Sequence, residues 1–137
     1  MKRNATAVWN GTGKEGNGTL TTQSTTLNNT QYSYLSRFES GVGTNPEELI
    51  AAAHAGCFTM KLAFLFNAAG FTSDKIETTC EITLTDGAIS GSHLKVKSTV
   101  SGISQEQFDK SVEEAKTNCL ISKLLNTTIT CESVLEK

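Results

Sequence analysis

One helical segment constrains this chain of 137 residues more than any other feature. Residues 43–58 read GTNPEELIAAAHAGCF, in which Asn45 can cap a helix and Pro46 suits its first turn. The acidic side chains that follow complement the helix dipole, and Gly70 is a suitable stop. Because the segment is apolar nearly all round, we expect it to form a central and buried helix.

Alternation of apolar and polar side chains on both sides of this helix predicts strands. Residues 1–38 read as short strands, the last of which runs over 32–38. Residues 75–85 and 92–101 alternate with a period of two, and the Asp-Gly pair at 86–87 is a hairpin signal between them. The sequence therefore predicts antiparallel pairing.

A second helical block follows these strands. It starts at Ser104, where Gln107 completes a capping-box pattern, and a break is expected at Asn118. A last strand is predicted over 127–135. The order of strands, helix, strands, helix and strand is typical of an α+β fold with antiparallel sheets and two main helices. The length suits a single domain over residues 1–137.

Composition and charge argue against several classes of protein. The net charge is −2 and no basic stripe is visible, so a nucleic-acid partner is not expected. The first residues lack an apolar signal region, and the apolar run over 49–69 looks too polar and too short to span a membrane. We therefore expect a cytoplasmic protein without a membrane partner. No cysteine or histidine spacing predicts a metal site, and no cofactor is expected.

The four cysteines fall into two pairs. Cys80 and Cys131 lie in alternating strand patterns, where a thiol behaves as a small buried hydrophobe. Cys57 and Cys119 lie in helical blocks, and Cys119 follows the expected break. At the start of a short helix, free backbone amides would stabilise its thiolate. Two inert, buried thiols are the alternative interpretation of this second pair.

Three segments together resemble the osmotically inducible (OsmC) and organic hydroperoxide resistance (Ohr) superfamily, and the OsmC branch most closely. They are Arg37-Phe38-Glu39, the helical segment 43–58, and residues 118–123, which read NCLISK. One departure is visible, because Leu120 stands where the family usually has proline. The resemblance covers nearly the whole chain and implies an intertwined homodimer with two active sites at its interface.

The resemblance also implies an activity and roles for four residues. It implies a thiol-dependent peroxidase that reduces organic hydroperoxides, and hydrogen peroxide less well, in defence against oxidative and osmotic stress. By position, Cys57 would attack the peroxide and Cys119 would resolve the oxidised sulfur. Arg37 and Glu47 match the family's charged pair around the thiolate, with Glu47 expected to hold Arg37 through a two-pronged contact. A dithiol reductant, for example of the lipoyl type, would restore both thiols.

The spacing of Glu47 and Cys57 adds a geometric expectation. Ten residues separate them, which is about 15 Å along a continuous helix and beyond hydrogen-bond reach. Either the helix is broken or Glu47 meets the cysteine of the other protomer, and we expect the second. Two other functions stay open. One is a cysteine hydrolase that uses Cys57 and His54, and the other is a non-enzymatic dimer that binds an apolar ligand between its central helices.

Overall fold

An antiparallel sheet of three strands opens the chain in the computed structural model, which describes residues 1–136. In spatial order the strands are β1 (Ala5–Asn10), β2 (Asn17–Thr22) and β3 (Thr30–Tyr32). The glycine-rich segment between β1 and β2 connects two antiparallel neighbours, as a hairpin does. This sheet lies in the first of two compact units, Met1–Leu49 and Ile50–Lys137.

A short helix, α1 (Tyr34–Phe38), follows β3 where the sequence predicted a strand over 32–38. The strand prediction was wrong because Ser33 starts a helix. Its hydroxyl accepts a hydrogen bond from the backbone N–H of Ser36 at 3.1 Å. The Ser36 hydroxyl in turn accepts from the N–H of Ser33 at 2.8 Å, which completes a capping box. As a result, Arg37 lies in the last turn of a helix.

The long helix α2 (Pro46–Ala68) begins and ends as predicted. The Asn45 side-chain oxygen accepts from the N–H of Glu48 at 2.8 Å and so caps the helix. At the other end Gly70 has a φ of 94°. The N–H groups of Gly70 and Phe71 donate to carbonyls of the last turn at 3.0 and 2.9 Å. This is the Schellman arrangement that ends helices at glycine.

The second unit contains a mixed sheet of three strands. β4 (Ser73–Thr85) pairs antiparallel with β5 (Ala88–Val100), and both residues of the Asp86–Gly87 turn have positive φ, as this hairpin requires. The chain then crosses through α3 (Gln105–Asn118) and α4 (Leu120–Leu124) and returns as β6 (Thr128–Glu136). Because of this crossover, β6 pairs parallel with β5. The predicted α+β class with two main helices is confirmed, and all other strand pairs are antiparallel.

One face of α2 supplies the core of the second unit. Its buried side chains pack against β5 and α3, and the cluster includes Phe58, Leu62, Phe66, Leu94, Val96, Phe108 and Val112. The opposite face is open, since Met60 and Phe64 are 64% and 65% exposed. The burial expected all round the helix is therefore confined to one face in the single chain.

Length and composition alone would also let α2 cross a membrane, and among residues 1–136 it is the one helix of which this is true. By that measure the expectation that this segment is too short and too polar does not hold. Core helices of globular proteins pass the same test. Hydrogen bonds from His54 tie the buried face of α2 to β5 and α4, so protein covers that face.

Candidate functional site

The first unit joins two of the predicted site residues, Arg37 and Glu47, in an ion pair. Arg37 Nε donates to Glu47 Oε1 at 2.8 Å, and the two side chains are 44% and 11% exposed. The contact is a single hydrogen bond and not the two-pronged pair that was expected. Glu47 Oε2 is buried and has no hydrogen-bond partner among residues 1–136. Because an unpaired buried acceptor is costly, this oxygen is available to a further donor.

Hydrogen bonds between α1 and the start of α2 hold this ion pair in place. The Ser36 hydroxyl donates to the Thr44 carbonyl, and the Asn45 side-chain amide donates to the Ser36 carbonyl, both at 2.9 Å. The Arg37 guanidinium also lies 4.9 Å from the Phe38 ring centre, within cation–π range. Beside it is a cleft of about 240 Å³ with aromatic walls from Trp9, Tyr32, Tyr34 and Phe38. An apolar group could therefore lie next to a permanent positive charge.

The second unit places the other two predicted residues in one pocket. Cys57 and Cys119 both line an open depression of about 200 Å³. Cys57 is half-buried, whereas Cys119 is only 1% exposed. The rest of the lining is mainly apolar with one ammonium group, and consists of Met60, Lys61, Phe64, Asn118 and Leu120. A small apolar molecule could thus reach Cys57 with a second thiol lining the same pocket.

Cys119 lies at the break between α3 and α4, where the sequence predicted one. It ends α3 and caps α4, and its Sγ accepts from the Ser122 N–H at 3.4 Å. The Ser122 hydroxyl lies 3.0 Å from the same sulfur. The backbone N–H of Ser122 is therefore a donor directed at this sulfur. Leu120 is the first residue of α4, a position that proline also suits, so the departure from the family pattern leaves this turn intact.

The two remaining thiols lie outside the pocket. Burial raises the pKa of Cys80, its hydrogen bond with Ser92 lowers it in part, and the charge of Glu81 raises it again. Burial raises the pKa of Cys131 to about 11. At neutral pH both are therefore protonated and poor nucleophiles, in line with the packing role predicted for them. All four cysteines are free thiols.

His54 has two serine partners and does not pair with Cys57. Its Nδ1 lies 2.6 Å from the Ser92 hydroxyl, and its Nε2 lies 2.8 Å from the Ser122 hydroxyl. Burial lowers the pKa of His54, which favours the neutral ring. A cysteine hydrolase would need one ring nitrogen on the Cys57 thiol and an acid on the other. The geometry therefore disfavours the hydrolase that uses Cys57 and His54.

Three residues of this region were not predicted as site residues. Lys61 follows Cys57 by four positions, and that spacing on one helix face was a readable signal. Ser122 follows the cap residue Cys119 by three positions, which is also a local signal. Ser92 offered none, because its contact with His54 joins β5 to a distant helix. Among residues 1–136, no group of three or more His, Cys, Asp or Glu side chains is arranged to hold a metal ion.

Comparison with known proteins gives matches over most of the chain. The family model described as OsmC-like protein matches residues 39–134. Peroxiredoxin OsmC of Escherichia coli K12 is 42% identical over 134 residues, which cover 95% of this chain and 94% of that protein. Organic hydroperoxide resistance protein-like 2 of Staphylococcus epidermidis is 34% identical over 89 residues, or 62% of each chain.

Solved structures show the same fold. An OsmC-like protein from Mycoplasma pneumoniae superposes with a TM-score of 0.74 at 14% identity and covers 100% of this chain and 99% of its own. The organic hydroperoxide resistance protein OhrB of Bacillus subtilis gives a TM-score of 0.64 at 21% identity, with 97% and 98% of the two chains covered. At these identities the likeness is one of fold.

Proposed function

This chain belongs to the OsmC-like protein family and is a peroxidase, and we propose that it reduces organic hydroperoxides to alcohols with Cys57 and Cys119. The observation that carries the proposal is the shared pocket of these two sulfurs, one accessible and one buried. Cys80 and Cys131 lie outside that pocket and have raised pKa values. We expect the protein to act as one domain in the cytoplasm, in defence against oxidative and osmotic stress.

The first step of the proposed reaction takes place at Cys57. Its thiolate attacks the O–O bond, the alcohol leaves, and a sulfenic acid remains on the sulfur. A thiolate is required because the protonated thiol is a poor nucleophile. In this proposal Arg37 supplies the positive charge that favours the thiolate and holds the peroxide oxygens, and Glu47 orients Arg37 through their ion pair.

We propose that Arg37 and Glu47 of one protomer act on Cys57 of its partner. α2 is continuous from Pro46 to Ala68, so the broken helix that was the alternative is absent. Ten residues of unbroken helix separate Glu47 from Cys57 by about 15 Å along the axis. This separation supports the proposal that Glu47 reaches the Cys57 of another chain.

The open face of α2 supports a homodimer. Met60 and Phe64 are large, apolar and about two-thirds exposed, and both line the pocket of the two cysteines. Exposed apolar patches of this kind mark interaction surfaces. A second copy of the chain packed there would cover these side chains and leave the sulfurs at the interface. The apolar walls would also favour an alkyl hydroperoxide over hydrogen peroxide.

The second step returns the enzyme to its reduced state. The Cys119 sulfur attacks the oxidised Cys57 sulfur, water leaves, and a disulfide joins the two residues. A thiol reductant, which we propose to be a dithiol of the lipoyl type, then restores both thiols by exchange. No metal or cofactor is required by these steps.

Stopped-flow oxidation by cumene hydroperoxide tests the proposal. Cys57→Ser should abolish the reaction, whereas Cys119→Ser should react once and stall as a sulfenic acid. Cys131→Ser is the matched control and should behave as the wild type, since this thiol lies outside the pocket. Equal reactivity of the wild type and Cys57→Ser would overturn the proposal. Binding of the hydroperoxide without its reduction would instead favour the non-enzymatic dimer.

A further inference from the structure

A buried chain of hydrogen bonds runs through the second unit and ends at Cys119. The ring of His54, on α2, lies between the hydroxyls of Ser92 and Ser122, at 2.6 Å from Nδ1 and 2.8 Å from Nε2. The Ser122 hydroxyl continues the chain to Cys119 Sγ at 3.0 Å. His54 is 0% exposed and the other three members are buried as well. Such a chain links an imidazole to a reactive sulfur through one hydroxyl.

The chemistry of the chain sets a direction for proton movement. A neutral imidazole donates from one nitrogen and accepts at the other. With the hydrogen on Nδ1, the ring donates to Ser92, and Nε2 accepts from the Ser122 hydroxyl. The Ser122 oxygen is then free to accept the thiol hydrogen of Cys119. Burial lowers the pKa of His54 and keeps the ring neutral, so one ring nitrogen carries no proton and can act as an acceptor.

We propose that His54, acting through Ser122, accepts the thiol proton of Cys119 when this residue resolves the oxidised Cys57. This inference rests on the proposed function, because it concerns the second step of that reaction. His54 does not touch the reacting sulfur and acts on it only through the Ser122 hydroxyl. It is therefore a positioning residue and proton acceptor for Cys119, with no part in the peroxide step.

The atoms of the step balance as follows. Cys119 passes its proton to Ser122 Oγ while Ser122 passes its own hydroxyl proton to His54 Nε2. The sulfur of Cys119 forms a bond to the sulfur of Cys57, and the S–O bond of the sulfenic acid breaks. The departing hydroxide takes a proton from solvent in the open pocket and leaves as water. The step forms one disulfide and one water, and the proton held by His54 returns through Ser122 to the Cys119 sulfur when the disulfide is reduced.

The need for such a relay follows from burial. Cys119 is 1% exposed, and its hydrogen-bond partners among residues 1–136 are the hydroxyl and backbone N–H of Ser122. The Ser122 hydroxyl is therefore the acceptor within hydrogen-bond reach of its thiol proton. A positioned base typically accelerates proton transfer by about a hundredfold to ten-thousandfold. The Ser122 N–H, which also points at the sulfur, would stabilise the thiolate that results.

The titratable groups around His54 are few. Cys80, on β4, lies 3.9 Å from Nδ1 and is also joined to Ser92 at 3.2 Å. Cys119 faces the ring through Ser122. β5 and α4 each contribute a serine hydroxyl to it, and no carboxylate or ammonium of the described residues forms an ion pair with the ring. The pH response of the step should therefore report on His54.

Single-turnover kinetics with one equivalent of cumene hydroperoxide separate the two steps. Intact-mass sampling follows the sulfenic acid, which gains one oxygen atom, and then the disulfide, which loses two hydrogen atoms. In Ser122→Ala and His54→Gln the sulfenic acid should still form at Cys57, while disulfide formation should slow by at least about tenfold. Ser98→Ala is the matched control. Ser98 is a buried serine on the same face of β5 as Ser92, and it takes no part in this chain of hydrogen bonds.

The pH profile distinguishes proton transfer from a merely structural role. Wild-type disulfide formation should change little between about pH 7 and 8, whereas in both variants it should rise about tenfold per pH unit, since hydroxide must then remove the proton. Wild-type rates and profile in Ser122→Ala would overturn the inference, whether or not His54→Gln folds. Failure of the wild type to form a sulfenic acid at Cys57 would refute the proposed function instead.

Discussion

A pair of mixed dimers can show whether each active site takes residues from both chains. One mixed dimer carries Glu47→Gln in one chain and Cys57→Ser in the other. Glu47 and Cys57 lie on one continuous helix, about 15 Å apart along its axis, so the proposed site pairs the carboxylate with the cysteine of the partner chain. In this mixed dimer the chain with an intact Cys57 still meets an intact Glu47 from its partner.

The expected activities follow from counting complete sites. Glu47→Gln removes the charged partner of Arg37, and loss of its orientation should slow Cys57 oxidation by about a hundredfold in the homodimer. The mixed dimer keeps one complete site of two and should regain about half of the wild-type activity. The inverse mixed dimer has both substitutions in one chain and none in the other. Its only intact Cys57 then faces the substituted position 47, so it should be nearly inactive.

The assay needs two differently tagged chains, co-expressed and purified through both tags. Initial rates of cumene hydroperoxide consumption are measured for the two mixed dimers and the two parent homodimers, with dithiothreitol as reductant. If each active site lay within one chain, the relative activities of the two mixed dimers would be reversed. The inverse mixed dimer would then keep half of the activity and the first would be inactive, and that result would refute the shared site.

Three further predictions concern the surroundings of the site. Because burial lowers the pKa of His54, unfolding takes up a proton below about pH 6.5. The free energy of unfolding should therefore decrease as the pH is lowered through this range, by at most about 1.4 kcal/mol per pH unit. Urea unfolding of His54→Gln should show a flatter pH profile than His93→Gln, and equal profiles would contradict the neutral ring. With a pKa of about 11, Cys131 should be alkylated by iodoacetamide at pH 8 more slowly than Cys57, and peptide mapping that finds the reverse order would count against this. Phe64→Lys should shift the proposed dimer toward monomer in sedimentation, whereas Val134→Lys, at an exposed apolar position on β6, should not.

Local signals made the long helix predictable. Asn45 and Pro46 mark the start of α2 and Gly70 marks its end, because capping and positive φ depend on a few neighbouring residues. The same local chemistry could have revealed α1. Its signal is a capping box between Ser33 and Ser36, which spans only four residues. The apolar alternation around it favoured a strand instead.

Long-range features could not be read from the sequence. The parallel pairing of β6 depends on the path of α3 and α4, and strand alternation is the same for parallel and antiparallel neighbours. The partners of His54 lie 38 and 68 residues away along the chain. From spacing alone, His54 appeared to be a neighbour of Cys57 on one helix face. Only the tertiary structure shows that its ring faces the serines.

The most direct test of the central claim is to locate the oxidised sulfurs after one turnover. The reduced wild-type protein is treated with one equivalent of cumene hydroperoxide, alkylated under acid conditions and digested without reductant for peptide mapping. The account predicts a single cross-link that joins the peptides of Cys57 and Cys119, with Cys80 and Cys131 recovered as free thiols. Oxidation at Cys80 or Cys131 while Cys57 stays reduced would contradict it.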